Sequence, residues 1–262
     1  MAYRKKDIPC QVRESAPWNE VPVHRPVTCR ARHYKPGTHI APHRHRRHQL
    51  VFAMSGLMVV RADGGRWVVP STRAIWVPAG MAHAVDCIAE VHMRSLYVEP
   101  DFAPQLPDEA FAVQVAPLLR ELLLAASLIE TAHVDDSRDG RVVRLLLDEL
   151  HRMDALPLHL PSPTDPRLQR ICQHIQKHPG DDATLQDWAQ ALEVDVKTIQ
   201  RHFASELGMT FGQWRQQARL LAALERLAVG DKVIDVMGYD SPSAFTSMFK
   251  RQLGQTPAAF FR

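Results

Sequence analysis

The chain has 262 residues, of which 45% are hydrophobic, and a formal net charge of +3. It is long enough to bury a core and to form two domains, and its net charge is too small to indicate a polyanionic partner by itself. No apolar run reaches the roughly 18 residues of a membrane helix, and no apolar segment follows the basic start, so we expect a cytoplasmic protein. The four scattered cysteines include no C-x-x-C pair, which predicts reduced thiols.

The first part of the chain, residues 27–99, consists of short apolar runs broken by Gly, Pro and Asp. Runs that recur about every 8–12 residues are typical of an all-β sandwich or barrel. The sequence "ADGG" predicts a hairpin turn between strands at Leu57–Val60 and Arg66–Val69.

The pattern changes after Pro100. Leucines at helical spacing predict two amphipathic helices over residues 115–131 and 142–153, available for core packing or for burial against a second copy. Four prolines from Pro157 to Pro166 then predict a linker and a domain boundary.

The remainder of the chain has helical periodicity with clear start and stop signals. Thr184 with Asp187 three residues later predicts one helix start, Asp195 predicts the next, and Gly208 predicts where the second helix ends. Ala189 is small enough to let the two helix axes approach, so the pair predicts a helix-turn-helix. Periodicity alone leaves open whether such a pair contacts DNA or is an ordinary helical hairpin.

A repeat indicates that one unit has been used twice. The segment "FASELGMT" (203–210) matches "FKRQLGQT" (249–256) at Phe, Leu, Gly and Thr. In the second copy, Ser241 followed by Pro242 predicts a helix start, and Phe245 and Phe249 form the expected inward face.

The stretch "GYDSPSAF" followed by F-K-x-x-L-G-x-T-P resembles the closing signature of AraC-type transcription regulators. The resemblance covers about the last hundred residues. It implies two helix-turn-helix units, joined by a long helix over residues 211–227, that insert into successive major grooves.

The residues expected to contact DNA follow from helix phase and from this resemblance. With the apolar side chains of the first recognition helix turned inward, its exposed face carries Lys197, Thr198, Gln200 and Arg201. The family's base-contacting positions map onto Lys197, Gln200 and Arg201, and Arg and Gln suit guanine and adenine. On the second recognition helix we expect Ser243, Ser247 and Lys250 to contact phosphates or to follow DNA shape.

The second unit departs from the family pattern. Val233 and Met237 are four residues apart, whereas the corresponding Leu185 and Leu192 are seven apart. Its leading helix is therefore expected to be nearly one turn short, which would displace the second recognition helix and weaken its base readout.

Four of the fourteen histidines lie between Pro36 and Gly56. The patterns from Gly37 to Gly56 and from Pro78 to His83 resemble the two cupin motifs. The resemblance places His43, His45 and His83 at metal-ligand positions, and it places Gln49 where a ligating Glu would stand. The site is therefore expected to hold one divalent transition metal, or to bind an organic effector without a metal. His39 and His48 are expected to be peripheral.

Together these patterns predict a multidomain α+β chain, in which a cupin-like β-barrel is followed by two helices and then by an all-α double helix-turn-helix domain. The expected divisions are an N-terminal extension (1–26), a sensing and dimerisation domain (27–153), a Pro-rich linker (154–165) and a DNA-binding domain (166–262).

The expected function is that of a homodimeric transcription regulator, without catalytic residues, which binds operator DNA under the control of a small-molecule effector. It would contact RNA polymerase if it is an activator, and it is expected to have no membrane partner. One alternative is a cupin metalloenzyme of dioxygenase type with an appended DNA-binding module. Another is a structural DNA-binding dimer whose barrel binds nothing.

Overall fold

The computed structural model describes residues 26–71, 73–129, 136–153, 155–156, 158–231, 241–253 and 256–260. The strands are β1 (Val27–Tyr34), β2 (His39–His43), β3 (His48–Ala53), β4 (Leu57–Ala62), β5 (Gly65–Pro70), β6 (Arg73–Val77), β7 (His83–Cys87), β8 (Val91–Val98), β9 (Phe111–Gln114), β10 (Ala155–Leu156) and β11 (His159–Pro161). The helices are α1 (Pro117–Ala126), α2 (Arg138–Leu150), α3 (Pro166–Lys177), α4 (Leu185–Ala191), α5 (Val196–Leu207), α6 (Phe211–Ala228), α7 (Pro242–Leu253) and α8 (Pro257–Phe260). A β-rich part followed by helices confirms the predicted fold class.

The strands form two antiparallel sheets. One has the order β1-β8-β3-β6-β9-β10 and the other has the order β11-β5-β4-β7-β2. The predicted hairpin is confirmed, because Ala62 pairs with Gly65 and leaves a two-residue turn. Residues Val51 and Val59, from opposite sheets, share one hydrophobic core. Because side chains alternate along a strand, the neighbouring Leu50 lies on the other face of the first sheet.

Helices α1 and α2 belong to the same core as Leu50, on the outer face of the six-stranded sheet. Both helices were predicted, but their bounds and phase differ from the prediction. Helix α1 ends at Ala126, where the Ser127 hydroxyl donates to the carbonyl of Leu124 at 2.7 Å. Leu118 and Leu145 belong to the leucines whose helical spacing predicted an apolar inward face, yet they are 48% and 43% exposed. A leucine-rich run offers several apolar faces, and packing on the sheet selects one.

The segment predicted as a Pro-rich linker has more structure than expected. It supplies β10, which pairs with β9, and β11, which pairs with β5. Leu158 and Leu160 in this segment are 0% and 1% exposed. Both strands lie at sheet edges, where proline is tolerated because one side of the strand needs no hydrogen-bond donor.

The helix signals of the C-terminal part are confirmed in detail. Thr184 and Asp187 form a reciprocal capping box at the start of α4, and Asp195 accepts a hydrogen bond from the backbone of α5. Helix α5 ends at Gly208, which has a left-handed φ of +66°. Helix α6 covers the predicted connecting helix, and the Ser241 hydroxyl accepts from the backbone N–H of Ala244 at the start of α7.

Some predictions fall outside the described residues. They are the shortened leading helix at Val233 and Met237, the N-terminal extension up to residue 25, and the state of Cys10. The described cysteines, Cys29, Cys87 and Cys172, carry free thiols, as predicted. None of the helices in the described part combines the length and hydropathy that a membrane crossing requires.

Candidate functional site

The strand register brings two of the predicted histidines together. His43 on β2 and His83 on β7 are direct partners across an antiparallel pair. His45 lies in the loop after β2, and its carbonyl accepts a hydrogen bond from the N–H of Gly80 at 2.7 Å. This bond ties the β2–β3 loop to the turn that precedes His83, so the two sequence motifs meet at one point.

The three imidazoles offer nitrogen atoms that all lie within 4.8 Å of one another. Nδ1 of His43 lies 2.8 Å from the carbonyl of Ala41, and Nδ1 of His83 lies 3.1 Å from that of Met81. Because a carbonyl can only accept, Nδ1 of each ring carries the proton and Nε2 keeps its lone pair. Nε2 of His83 is buried and has no hydrogen-bond partner among the described residues.

Burial also keeps two of the rings neutral. It lowers the pKa of His83 to about 4, and, with smaller electrostatic contributions from His43, His83 and Arg30, it lowers the pKa of His45 to about 4. Three imidazoles whose nitrogen atoms lie this close together are a donor set that fits zinc, iron, nickel or copper. The fourth predicted ligand, Gln49, is a weaker donor than the carboxylate it replaces.

Gln49 lies on β3 and is 4% exposed. Its Nε2 donates to the hydroxyls of Ser95 at 3.1 Å and Tyr97 at 3.3 Å, both on β8. Its Oε1 is buried and has no hydrogen-bond partner in the described part of the chain. Gln49 therefore presents an unsatisfied acceptor, and an unsatisfied buried acceptor costs about 1–3 kcal/mol until a donor reaches it.

A cavity lies between the β1–β8–β3 end of one sheet and the β7–β2 end of the other, with a volume of about 370 Å³ counted out to its open mouth. Its polar lining includes Arg30, Arg32, His43, Gln49, His83 and Tyr97. The sequence analysis missed the contribution of β1. The available signal was the alternation of Arg30, Arg32 and Tyr34, which places all three on one strand face.

The two remaining histidines of the cluster have other partners, as predicted. Nδ1 of His39 lies 2.8 Å from the carboxylate of Asp86 on the surface. His48 stacks on Trp76 with ring centroids 4.9 Å apart, and its Nδ1 accepts from the N–H of Ala79. Neither ring lines the cavity.

The predicted DNA-contacting residues of the first unit lie on α5. Lys197, Gln200 and Arg201 are exposed, whereas Thr198 is half-buried. The opposite face of the helix is fixed in the core by Ile199 and Phe203, which are 2% and 0% exposed. The three long polar side chains therefore share the free face of a capped helix, as a major-groove reader requires.

Between α4 and α5 the chain makes a tight turn. Glu193 has a left-handed φ of +53°, and the N–H of Val194 donates to the carbonyl of Ala189 at 3.0 Å. Ala189 is 6% exposed. A small buried residue at this place lets the two helices pack closely, so the pair is a helix-turn-helix.

On the second unit, Ser243, Ser247 and Lys250 are all exposed on α7. Phe245 and Phe249 turn inward, and Phe249 packs against Phe260 of α8 with ring centroids 5.4 Å apart. The face that α7 leaves free is thus hydroxyl-rich, and its last turn carries two exposed cations, Lys250 and the unpredicted Arg251.

Contacts that the sequence analysis did not foresee join the barrel to α6. Arg66 on β5 forms an ion pair with Glu225, and the side chains of both residues are mostly buried. The indole N–H of Trp214 donates to the carbonyl of Pro161 at 2.9 Å. Because the two residues of each contact are far apart in the sequence, no local sequence pattern predicts either contact.

A helix-turn-helix domain model matches residues 188–262, and a cupin domain model matches residues 32–99. The HTH-type transcriptional regulator NimR of Escherichia coli K12 is 34% identical over 221 residues, which cover 83% of this chain and 81% of NimR. The arabinose operon regulatory protein of the same strain is 26% identical over 163 residues, covering 59% and 53%. A crystal structure of ToxT from Vibrio cholerae aligns with 90% of this chain and 98% of its own at 9% identity, with a TM-score of only 0.38.

A cupin barrel followed by a helix-turn-helix with a polar exposed face defines a DNA-binding regulator. The extent of the match to NimR then places the chain in a particular group. It belongs to the AraC family of helix-turn-helix transcriptional regulators. The predictions of family, fold class and DNA-binding regulatory function are confirmed.

Proposed function

We propose that the cavity of the barrel is the effector site of this regulator, and that its occupancy changes the affinity of α5 and α7 for operator DNA. The observation that carries the proposal is the unsatisfied Oε1 of Gln49, buried beside His43 and His83 in a cavity that opens to solvent. Ligand sites typically combine an apolar wall with a few convergent polar groups, as this cavity does.

A route for the effect exists in the sheet that carries His83. His83 pairs with Ala62 on β4, and the adjacent β4–β5 pair places Arg61 opposite Arg66. Arg66 contacts Glu225 of α6, the helix that joins the two DNA-binding units. A ligand that favours one arrangement of β4 and β5 would therefore bias the position of α6.

The remaining features of the proposal are the assembly, the location and the absence of catalysis. Exposed leucines on and beside α1 and α2, among them Leu128 at 74%, support a homodimer formed through these helices. The protein acts in the cytoplasm and contacts RNA polymerase if it activates. It is a regulator and not an enzyme, which is supported by the regulator names of its relatives.

The experiment begins with genome-wide footprinting of the bound protein, which yields the operator. A reporter gene behind that operator is then assayed with a panel of small molecules in cells that carry the wild-type or the Gln49→Leu chain. We expect a compound of the panel to change expression by about fivefold or more through the wild type and not through Gln49→Leu, which keeps the volume but removes the amide. Gln114→Leu, on the exposed side of β9, is the matched control and should respond normally. A response that survives Gln49→Leu, or no response to any compound, contradicts the proposal.

We further propose that His43, His45 and His83 hold one divalent transition ion. Purified wild-type protein from metal-replete cells should contain up to one ion per chain by elemental analysis, and His83→Ala should lose it. His39→Ala, which removes a surface histidine bonded to Asp86, should keep it. Metal-free wild-type protein, or a full ion in His83→Ala, would show that the imidazoles serve only as hydrogen-bonding groups.

A further inference from the structure

We infer that the effector of this protein is a small organic carboxylate, whose negative charge is bound by Arg30 and Arg32 while its apolar part lies against the inner wall of the barrel. The inference rests on the proposed effector role of the cavity and adds the chemical class of the ligand. It does not depend on whether the three histidines hold a metal.

The charge of the cavity comes from one strand. Arg30 and Arg32 are two residues apart on β1 and both line the cavity. The guanidinium carbon of Arg30 lies 6.0 Å from the ring centroid of Tyr97, which shares the cavity. None of the described residues that line the cavity is an Asp or a Glu. Two cations without an acidic residue in the described lining favour an anionic ligand, and the planar fork of Arg matches a carboxylate.

The electrostatic influence of these arginines extends across the site. The charges of Arg30 and Arg32 act to lower the pKa of Tyr97, although burial dominates and raises it. The charge of Arg30 also contributes to lowering the pKa of His45. Arg30 and Arg32 are the arginines of the described cavity lining, and an arginine side chain keeps its positive charge in proteins.

The remaining lining limits the size and character of the ligand. Ile40, Val51, Val85 and Met93 form an apolar wall. The cavity is small and opens to solvent, so the lining suits only a small ligand, such as a short aliphatic or a small aromatic acid. A hydroxyl or other donor on that molecule would satisfy Oε1 of Gln49.

A purely structural role for the arginines makes a different prediction. Strand β1 is an edge strand, and inward-pointing charges on edge strands discourage pairing with other chains. In that case the removal of both charges would alter aggregation and leave ligand binding unchanged. The two explanations are separable by measuring binding with matched charged and neutral probes.

The test uses the full chain and pairs of near-isosteric probes: benzoate with benzamide, phenylacetate with phenylacetamide, and succinate with succinamide, with inorganic phosphate as a separate arm. Binding is measured by the concentration-dependent rise in melting temperature and by calorimetry. The variant is Arg30→Gln/Arg32→Gln. The control is Arg44→Gln/Arg46→Gln, which removes the same charge from exposed positions outside the cavity.

We expect at least one carboxylate to bind the wild type at least tenfold more tightly than its amide. That preference should be lost in Arg30→Gln/Arg32→Gln and kept in the control. Equal binding of amides, binding of phosphate alone, or no carboxylate binding overturns the inference. An amide that binds in the cavity and changes operator affinity would leave the proposed function intact and refute only the ligand class, whereas a ligand that binds without any effect on operator affinity would refute the proposed function.

Discussion

Replacement of Trp214 with Ala is expected to lower the free energy of unfolding by about 3–5 kcal/mol, the range typical for the loss of a buried aromatic side chain. Trp214 is fully buried in α6 and lies between two parts of the molecule. Its ring is 6.4 Å from that of Phe203 in the recognition helix, and its N–H is bonded to Pro161 in β11. Urea unfolding followed by far-ultraviolet circular dichroism measures the loss.

The control for this substitution is Trp214→Phe. It keeps most of the ring packing against Phe203 but removes the N–H that bonds to Pro161, so we expect a loss of about 1–3 kcal/mol from the carbonyl left without its partner. Wild-type stability in Trp214→Ala would show that α6 does not pack on the barrel in solution. An equal loss in both variants would assign the whole effect to the hydrogen bond.

Arg201→Ala is expected to weaken operator binding by about 1–3 kcal/mol and to relax the preference at one base position. Arg201 is exposed on α5, and removal of its side chain leaves the apolar face at Ile199 and Phe203 intact. The measurement is affinity for the operator and for operators substituted at single positions. All affinities are measured at the same salt concentration, because phosphate contacts make binding strongly salt-dependent.

Arg170→Ala provides the matched charge change. Arg170 is exposed on α3, outside the helix-turn-helix formed by α4 and α5, so its loss should leave base preference unchanged. If Arg201→Ala binds with wild-type affinity and wild-type sequence preference, α5 does not read bases through this residue. If both variants weaken binding equally without a change in preference, Arg201 contributes charge alone.

The parts of the fold that could be predicted are those with local causes. Helix starts and ends depend on neighbouring residues. The Thr184–Asp187 capping box and the Asp195 cap accept hydrogen bonds from the first backbone N–H groups of their helices, and the left-handed Gly208 ends α5. The Ala62–Gly65 turn is equally local. By contrast, β10 and β11 form because Leu158 and Leu160 become buried against distant strands. Nothing in a Pro-rich segment indicates such pairing.

The candidate site was only half predictable for the same reason. His43, His45 and His83 stand in two recognisable motifs; the register between β2 and β7 joins His43 to His83, and the hydrogen bond from Gly80 ties in the loop of His45. The arginines of β1 belong to no motif. Their role in the site becomes clear only when the fold shows which face of the strand lines the cavity. The ion pair of Arg66 and Glu225 links residues 159 positions apart, so it could be found only in the folded chain.

The central claim is that occupancy of the barrel changes DNA binding, and the most direct measurement is operator affinity of the wild-type chain with the cavity empty and with it saturated by the tightest-binding carboxylate. We predict a difference of about fivefold or more, in either direction, because effectors typically couple to a second site by about 1–3 kcal/mol. The difference should be absent in Arg30→Gln/Arg32→Gln and present in Arg44→Gln/Arg46→Gln. Equal operator affinity in the two states, with the ligand bound in the cavity, would contradict the account.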